Sequence, residues 1–167
     1  RASRHALSCQ PIARGDAGMQ REVAFSQARH ADDLEPLEAV GRLAATRALS
    51  RLGAKTPPTT TAPVLFTPRV ARSLWGHLLG AISGGALYRN ASFLKDRVET
   101  AIASPRITLT QHPHRRRGLS STGFDGDGVA TYERTLVDDG VLRGYLLSAY
   151  TARRLGLAST GNAGGVF

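Results

Sequence analysis

Cysteine is almost missing from this sequence: Cys9 is the single thiol in 167 residues. No disulfide can form within the chain, and a reducing, cytoplasmic setting is favoured. Also missing is any apolar run of about 18 residues, the least that crosses a bilayer as a helix. The most apolar window, residues 73–82, is broken by Gly76 and His77, which excludes a membrane-spanning helix in this segment. The loop Thr160-Gly161-Asn162-Ala163-Gly164-Gly165 lacks the lysine of a phosphate-binding P-loop. Ser120, Ser121 and Ser159 stand outside any G-x-S-x-G context, so serine hydrolase chemistry has no support. No internal repeat or low-complexity tract is visible.

What is present describes a globular chain, with 41% hydrophobic residues, enough for a buried core. It opens on Arg1 and stops at Phe167 just after a glycine loop, and so reads as an internal fragment of a longer protein. The net charge is +9, from 22 basic against 13 acidic residues, with every basic residue except Lys55 and Lys95 an arginine. Such a balance raises nucleic acid as a partner. Against it, the arginines are scattered, with one cluster at Arg115-Arg116-Arg117, and no aromatics interleave with them to stack bases. Solvated arginine faces are the plainer reading.

Residues 4–14 and 19–29 read as two strands of a hairpin around Arg14-Gly15-Asp16-Ala17-Gly18. Asp32 or Asp33 can cap the next element, a helix with Leu37, Val40, Ala44, Ala48 and Leu52 on one face and Gly53 at its end. Residues 55–63 hold three prolines and four threonines, an extended connector and the expected domain boundary. Val64-Leu65-Phe66 then reads as a short buried strand. Thr67-Pro68 caps a second helix whose Val70, Leu74, Leu78 and Ile82 line up at i, i+4 spacing until Gly84-Gly85. Residues 92–103 look amphipathic and partly helical, and residues 106–110 alternate as a strand.

The most particular stretch is residues 106–165. Phe124-Asp125-Gly126-Asp127-Gly128 is an acidic turn punctuated by glycine, in which Asp125 and Gly128 serve the turn. A strand over 131–137 leads to Asp138-Asp139-Gly140, an Asp-Gly hairpin signal, and a return strand over 141–147. Residues 151–156 make a short helical turn closed by Gly156, and residues 159–165 form a loop with three glycines. These antiparallel hairpins and separate helices amount to an α+β fold.

In this order, fD-x-(D/E)-G-v-x-T, l-(I/V)-x-(D/N)-G-v-L-x-x-Y, (S/T)-A-r-x-L-g and S-T-G-N-a-g, the segment resembles the TldD/PmbA family, and specifically its PmbA (TldE) branch. Similar segments lie upstream at Ala6-Leu7-Ser8-Cys9-Gln10-Pro11-Ile12-Ala13, Val40-Gly41-Arg42-Leu43-Ala44-Ala45, Ala62-Pro63-Val64-Leu65-Phe66 and Ala91-Ser92-Phe93-Leu94. The resemblance implies a fragment of a two-part architecture: residues 1–58 end a central region and linker, and residues 59–167 begin an incomplete C-terminal antiparallel β-rich domain. The family often has glycine near Val98, where this chain has Glu99-Thr100, which implies a different local backbone.

The resemblance also implies chemistry. The TldD branch is similar to zinc peptidases with an H-E-x-x-x-H helix, two histidines ligating the metal and the glutamate activating its water. Here the matching helix has only His77, followed by Leu78 and, five residues on, by Ile82. Neither the base nor the second ligand is present, so no catalytic or metal residue is expected. By resemblance, this chain is the zinc-free subunit of a hetero-oligomer whose TldD-like partner carries the zinc and cleaves unfolded peptides, in antitoxin degradation or peptide maturation. Thr160, Gly161, Asn162 and Gly164 would line the peptide cavity, although a structural turn is an equal reading of that loop. The alternative is a basic binding module without proteolysis, acting on nucleic acid or as a DNA gyrase modulator.

Other constellations carry less. His112-Pro113-His114 is followed by three arginines, whose charge opposes a cation. A calcium loop starting at Asp125 would place Ala130 where glycine is required. Cys9 and His5 lie four residues apart on one strand, about 13 Å, too far for a nucleophile and its base. The sequon Asn90-Ala91-Ser92 carries no weight in a reducing compartment.

Overall fold

The computed structural model describes residues 3–167, which divide into two compact units. One comprises the chain up to Pro63 together with Arg117–Leu119, and the other Val64–Arg116 with Ser120–Phe167.

In the first unit the expected hairpin is present, but each arm is cut in two. β1 (His5–Cys9) pairs antiparallel with β4 (Ala24–Ala28), and β2 (Ile12–Gly15) with β3 (Gly18–Arg21). The offset that pairs Cys9 with Ala24 also pairs Ile12 with Arg21, so the register runs through the interruption. The break has local causes. Pro11 has no N–H for a ladder, and the Val23 carbonyl accepts from Arg47 Nη1 at 3.1 Å.

Along β4, Ala24, Ser26 and Ala28 are buried while Phe25 and Gln27 are exposed, the alternation of a one-sided ribbon. The buried face meets α1 (Leu37–Leu49), which presents Val40, Ala44 and Ala48 at i, i+4, i+8. Leu7 and Cys9 complete this small core, so Cys9 fills space as an apolar residue would. Asp32 and Asp33 do not cap α1. They lie in a 3₁₀ turn (Ala31–Asp33), and α1 starts after Pro36, whose side chain has no acceptor to offer. Asp33 Oδ1 instead accepts from Arg117 Nη1 at 2.8 Å, and Arg29 Nε donates to the Gly118 carbonyl at 3.2 Å. These bonds hold Arg117–Leu119 in this unit.

The second unit departs from the sequence reading at its start. Val64-Leu65-Phe66 is not a buried strand: no strand pairs with it among the described residues, and Leu65 is 94% exposed. α2 (Pro68–Ala81) follows with Thr67 as N-cap and proline at its first position. Its apolar stripe is buried only at the far end. Val70 and Leu74 are exposed, whereas Leu78 packs on the core and Ile82, just past the helix, is fully buried. Gly84-Gly85 do not end α2; Ser83 accepts from Ala86 N and opens α3 (Gly84–Tyr88). Residues 92–103 form turns with no helix. Tyr145 pins them from outside: its hydroxyl donates to Leu94 O at 2.9 Å and accepts from Arg97 N at 3.2 Å.

β5 (Leu109–Gln111), β6 (Arg134–Asp138) and β7 (Val141–Leu142) make an antiparallel sheet in the order β5-β6-β7. The Asp139-Gly140 turn is present as read, with φ of 45° and 79°. Positive values at both central residues match the twist of the flanking strands. The return strand is shorter than residues 141–147. Arg143 N still donates to Leu136 O at 2.9 Å, but Leu146 then bridges to Ser83 in parallel. The outer edge of β7 is covered: Glu99 N donates to Leu142 O, Leu142 N to Thr100 O and Ile102 N to Gly140 O, at 2.8–3.0 Å. Ile82, Leu94, Leu136, Val137, Leu142 and Leu146 form the main core. Each large aliphatic side chain buried there contributes about 1.5–3 kcal/mol. Leu87, Leu147 and Ala152 form a second cluster under α4 (Ala149–Leu155), a helix opened by a Ser148–Thr151 capping box and closed at Gly156. The whole is an α+β fold of antiparallel sheets and short helices.

Candidate functional site

The acidic turn and the glycine loop, separated in sequence, meet in the second unit. Asp125 is 4% exposed and accepts three backbone N–H groups: Asp127 N and Val129 N on Oδ1 at 2.9 Å each, and Ala163 N on Oδ2 at 2.8 Å. Burial pushes this carboxyl up, but the donors from Ala163, Val129 and Asp127 outweigh it and hold it below its ordinary 3.8. Gly126 N donates in turn to Ala163 O at 2.8 Å. Asp127 Oδ2 accepts from Ala149 N at 2.8 Å, a carboxylate on the first N–H of α4. Gly128 takes a φ of 78°, and its N–H donates to Asp125 O at 3.1 Å. Both aspartates hold the turn and its neighbours together.

The four loop residues proposed for a cavity are not equivalent. Thr160 Oγ1 accepts from Leu147 N at 2.7 Å and lies 2.9 Å from Asn162 Oδ1. Gly161 is buried at φ 67°, with Ala130 O only 2.7 Å from where a Cβ would stand, so any side chain there would strike backbone. Asn162 is buried and its Nδ2 donates to Gln111 Oε1 and to Gly165 O, both at 2.8 Å. Gln111 Nε2 continues the chain to Tyr132 O at 3.1 Å. Of the four, Gly164 alone is exposed. Thr160, Gly161 and Asn162 therefore brace the loop from within, and Gly164 lies on its surface. Gln111 was not a candidate from sequence: a lone glutamine on a three-residue strand carries no local signal of a partner at position 162. Asp139 and Gly140 sit apart from this junction, at the β6–β7 turn.

Beside it, His112, His114, Arg115 and Glu133 line an open concavity of about 430 Å³. His112 Nδ1 lies 3.1 Å from Glu133 Oε2, and His114 Nε2 lies 3.1 Å from Thr131 Oγ1. The two histidines thus have separate partners.

The zinc helix implied by resemblance can be tested against α2. His77 is exposed on it, Leu78 packs inward, and Ile82 is buried in the core. Aliphatic side chains at these two places can neither ligate zinc nor take a proton from water, so α2 does not fit the metal. Among the described residues, no group of three or more His, Cys, Asp or Glu is placed to hold a metal ion. No helix of the described residues is long and apolar enough to cross a membrane.

Comparison with known proteins places these features. Residues 1–52 match the family model for the PmbA/TldA metallopeptidase central domain, and residues 59–166 the model for the PmbA/TldA metallopeptidase C-terminal domain. The chain is 45% identical over 165 residues to the metalloprotease PmbA of Escherichia coli O157:H7, and 36% identical over 165 residues to a PmbA homolog of Haemophilus influenzae. In each case the match covers 99% of this chain and 37% of the relative, so the chain spans little more than a third of their length. Among solved structures, it superposes on a Bacteroides thetaiotaomicron protein described as a candidate modulator of DNA gyrase, with a TM-score of 0.89 at 28% identity, over 96% of this chain and 37% of that one. It also superposes on TldE from Thermococcus kodakarensis, with a TM-score of 0.81 at 25% identity, over 98% of this chain and 38% of that one. With matched domains running from its first residues to Val166, the chain belongs to the PmbA/TldD metallopeptidase family.

Proposed function

We propose that this chain is part of a zinc-free, PmbA/TldE-like scaffold subunit in a cytoplasmic TldD–TldE type metallopeptidase acting on unfolded peptides. The observation that carries the reading is α2, which forms where the TldD branch would have its zinc helix yet has Leu78 and Ile82 in place of a base and a second ligand. The likeness to a TldE structure supports the same branch. In this reading a TldD-like partner supplies the metal and the water activation. The residues of this chain shape and brace the cavity, Thr160, Gly161 and Asn162 from within and Gly164 at its surface.

A peptide would be held as an added strand, a sequence-tolerant mode because main-chain hydrogen bonds carry the affinity. Residues 99–102 already occupy the edge of β7, and β5 is the other outer strand of that sheet, so in this reading the added strand would pair with β5.

The deciding experiment uses the full-length protein purified alone and together with a TldD-like partner carrying H-E-x-x-x-H. The expected result is co-purification, zinc in the partner, and peptidase activity in the pair only. Stoichiometric zinc and peptidase activity in the protein alone would overturn the scaffold reading.

A second reading, a basic module that modulates DNA gyrase or binds nucleic acid, draws on the net charge of +9, the exposed Arg115 and Arg116, and the likeness to the Bacteroides protein. DNA affinity falling steeply with log[salt], and abolished by charge reversal at residues 115–117, would favour it.

A further inference from the structure

We propose that the concavity beside α4 binds the C-terminal end of a peptide whose last side chain is apolar. It measures about 460 Å³, a size at the lower end of small-ligand pockets. Leu87, Leu155 and the Tyr145 ring give it an apolar interior, and Val98 and Leu157 stand at its more exposed margin. Three charged residues share the lining: Lys95, Arg154 and Asp96.

This combination has the polarity of a peptide terminus. The apolar interior takes the last side chain, Lys95 and Arg154 meet the terminal carboxylate, and Asp96 accepts the N–H of the terminal residue. Lys95 and Arg154 outnumber Asp96, a charge balance that suits one terminal carboxylate, and Asp96 is an acceptor that a peptide N–H can use and a simple fatty acid cannot, which favours the peptide as occupant.

The pocket is also held in place before any ligand arrives. Asp96, which lines the pocket, takes a positive φ of 59°, and Asn90 and Glu99, which lie to either side of the lining residues 95–98 in the chain, also have positive φ. Such backbone persists only when its surroundings impose it, and it concentrates where ligands are clamped. The restraints are visible: the Tyr145 hydroxyl bonds Leu94 O and Arg97 N, and Lys95 Nζ donates to Asn90 Oδ1 at 2.6 Å. Arg154 lies 5.9 Å from the centre of the Tyr88 ring, which itself meets Tyr150 edge-on. A preformed site loses less entropy on binding.

The choice of occupant rests on the peptide handling proposed above, but the site itself does not need zinc or a partner. The test is therefore calorimetric titration of the full-length protein alone with acetyl-Gly-Ala-Leu as free acid, the same peptide as C-terminal amide, and octanoate. The free acid is expected to bind at least about tenfold tighter than the amide, the loss of one charge-assisted contact. Arg154→Met should narrow the gap between acid and amide, and Lys95→Met together with Arg154→Met should close it. Leu157→Asp, at an exposed margin that tolerates the change, should remove acid binding if Arg154→Met fails to fold. Equal affinity for acid and amide, no binding of either at millimolar concentration, or wild-type binding by Leu157→Asp would overturn the site. Octanoate binding as tightly as the peptide acid would overturn the occupant. Peptidase activity of the protein alone would sink the scaffold reading and leave this binding result standing.

Discussion

Asn162 Nδ2 donates a 2.8 Å hydrogen bond to Gln111 Oε1, joining two buried side chains that stand 51 residues apart in the chain. The pair ties the glycine loop to β5, and each member also bonds backbone, Asn162 to Gly165 O and Gln111 to Tyr132 O. Truncating either one leaves a buried polar atom without its partner. Asn162→Ala and Gln111→Ala should each lower stability by about 1–3 kcal/mol, measured by urea unfolding. The double variant should lose less than the sum, since the second truncation has no shared bond left to break.

Gly128 and Gly140 offer a controlled comparison, because their φ values are nearly the same, 78° and 79°. A Cβ at Gly128 would meet open space, whereas at Gly140 it would overlap Ala103 O and come within 2.7 Å of Ser104 O. Gly128→Ala should cost about 1–2 kcal/mol, the left-handed penalty alone. Gly140→Ala should cost clearly more in thermal unfolding, because two backbone carbonyls must move.

Asp125 makes stability depend on acid. Its folded carboxyl lies below its ordinary 3.8 because N–H donors from Ala163, Val129 and Asp127 outweigh burial. A lowered folded value contributes stability above the unfolded value, and that contribution is lost as pH falls through the folded one. The urea midpoint should therefore drop between about pH 5 and pH 2. Asp125→Asn, which cannot ionise, should start lower and show a shallower drop over the same window.

Glu99 stands where the family resemblance led us to expect a different backbone, yet it adopts φ 63°, the region glycine favours. Its carboxylate pairs with Arg143 Nη1, and Arg143 also reaches Asp138; hydrogen bonding to Glu99 raises the Arg143 guanidinium above its usual value. Both side chains of the Glu99 pair are well exposed, so the pair contributes little. Glu99→Gly should be close to neutral, relieving the backbone while losing the pair. Glu99→Ala should be less stable than Glu99→Gly by about 1 kcal/mol, since it loses the pair and keeps the strain. Parallel denaturation curves of the two variants decide it.

Features set by neighbouring residues were legible in the sequence. The Asp139-Gly140 turn, the start of α2 at Thr67-Pro68 and the close of α4 at Gly156 all depend on backbone preferences within a few residues. What failed depended on distant partners. Val64-Leu65-Phe66 has the composition of a strand but, among the described residues, no strand to pair with, and residues 92–103 are shaped by Tyr145 and β7 rather than by their own periodicity. The candidate site divides the same way. The roles of Asp125 and Gly128 within their own turn were readable, while the bonds from Asp125 to Ala163, from Asp127 to Ala149 and from Asn162 to Gln111 each cross at least 22 residues.

The unbroken register of the first unit's hairpin makes its turn a lever on a distant surface. β4 buries alternate residues, so adding or removing one residue anywhere between Cys9 and Ala24 would force the outer ribbon to re-pair or turn over. Phe25 and Gln27 would then face α1, and Ala24 and Ser26 would face water. A change of length at Asp16-Ala17, far from any buried side chain of β4, would act on the packing of α1 as strongly as a substitution within it.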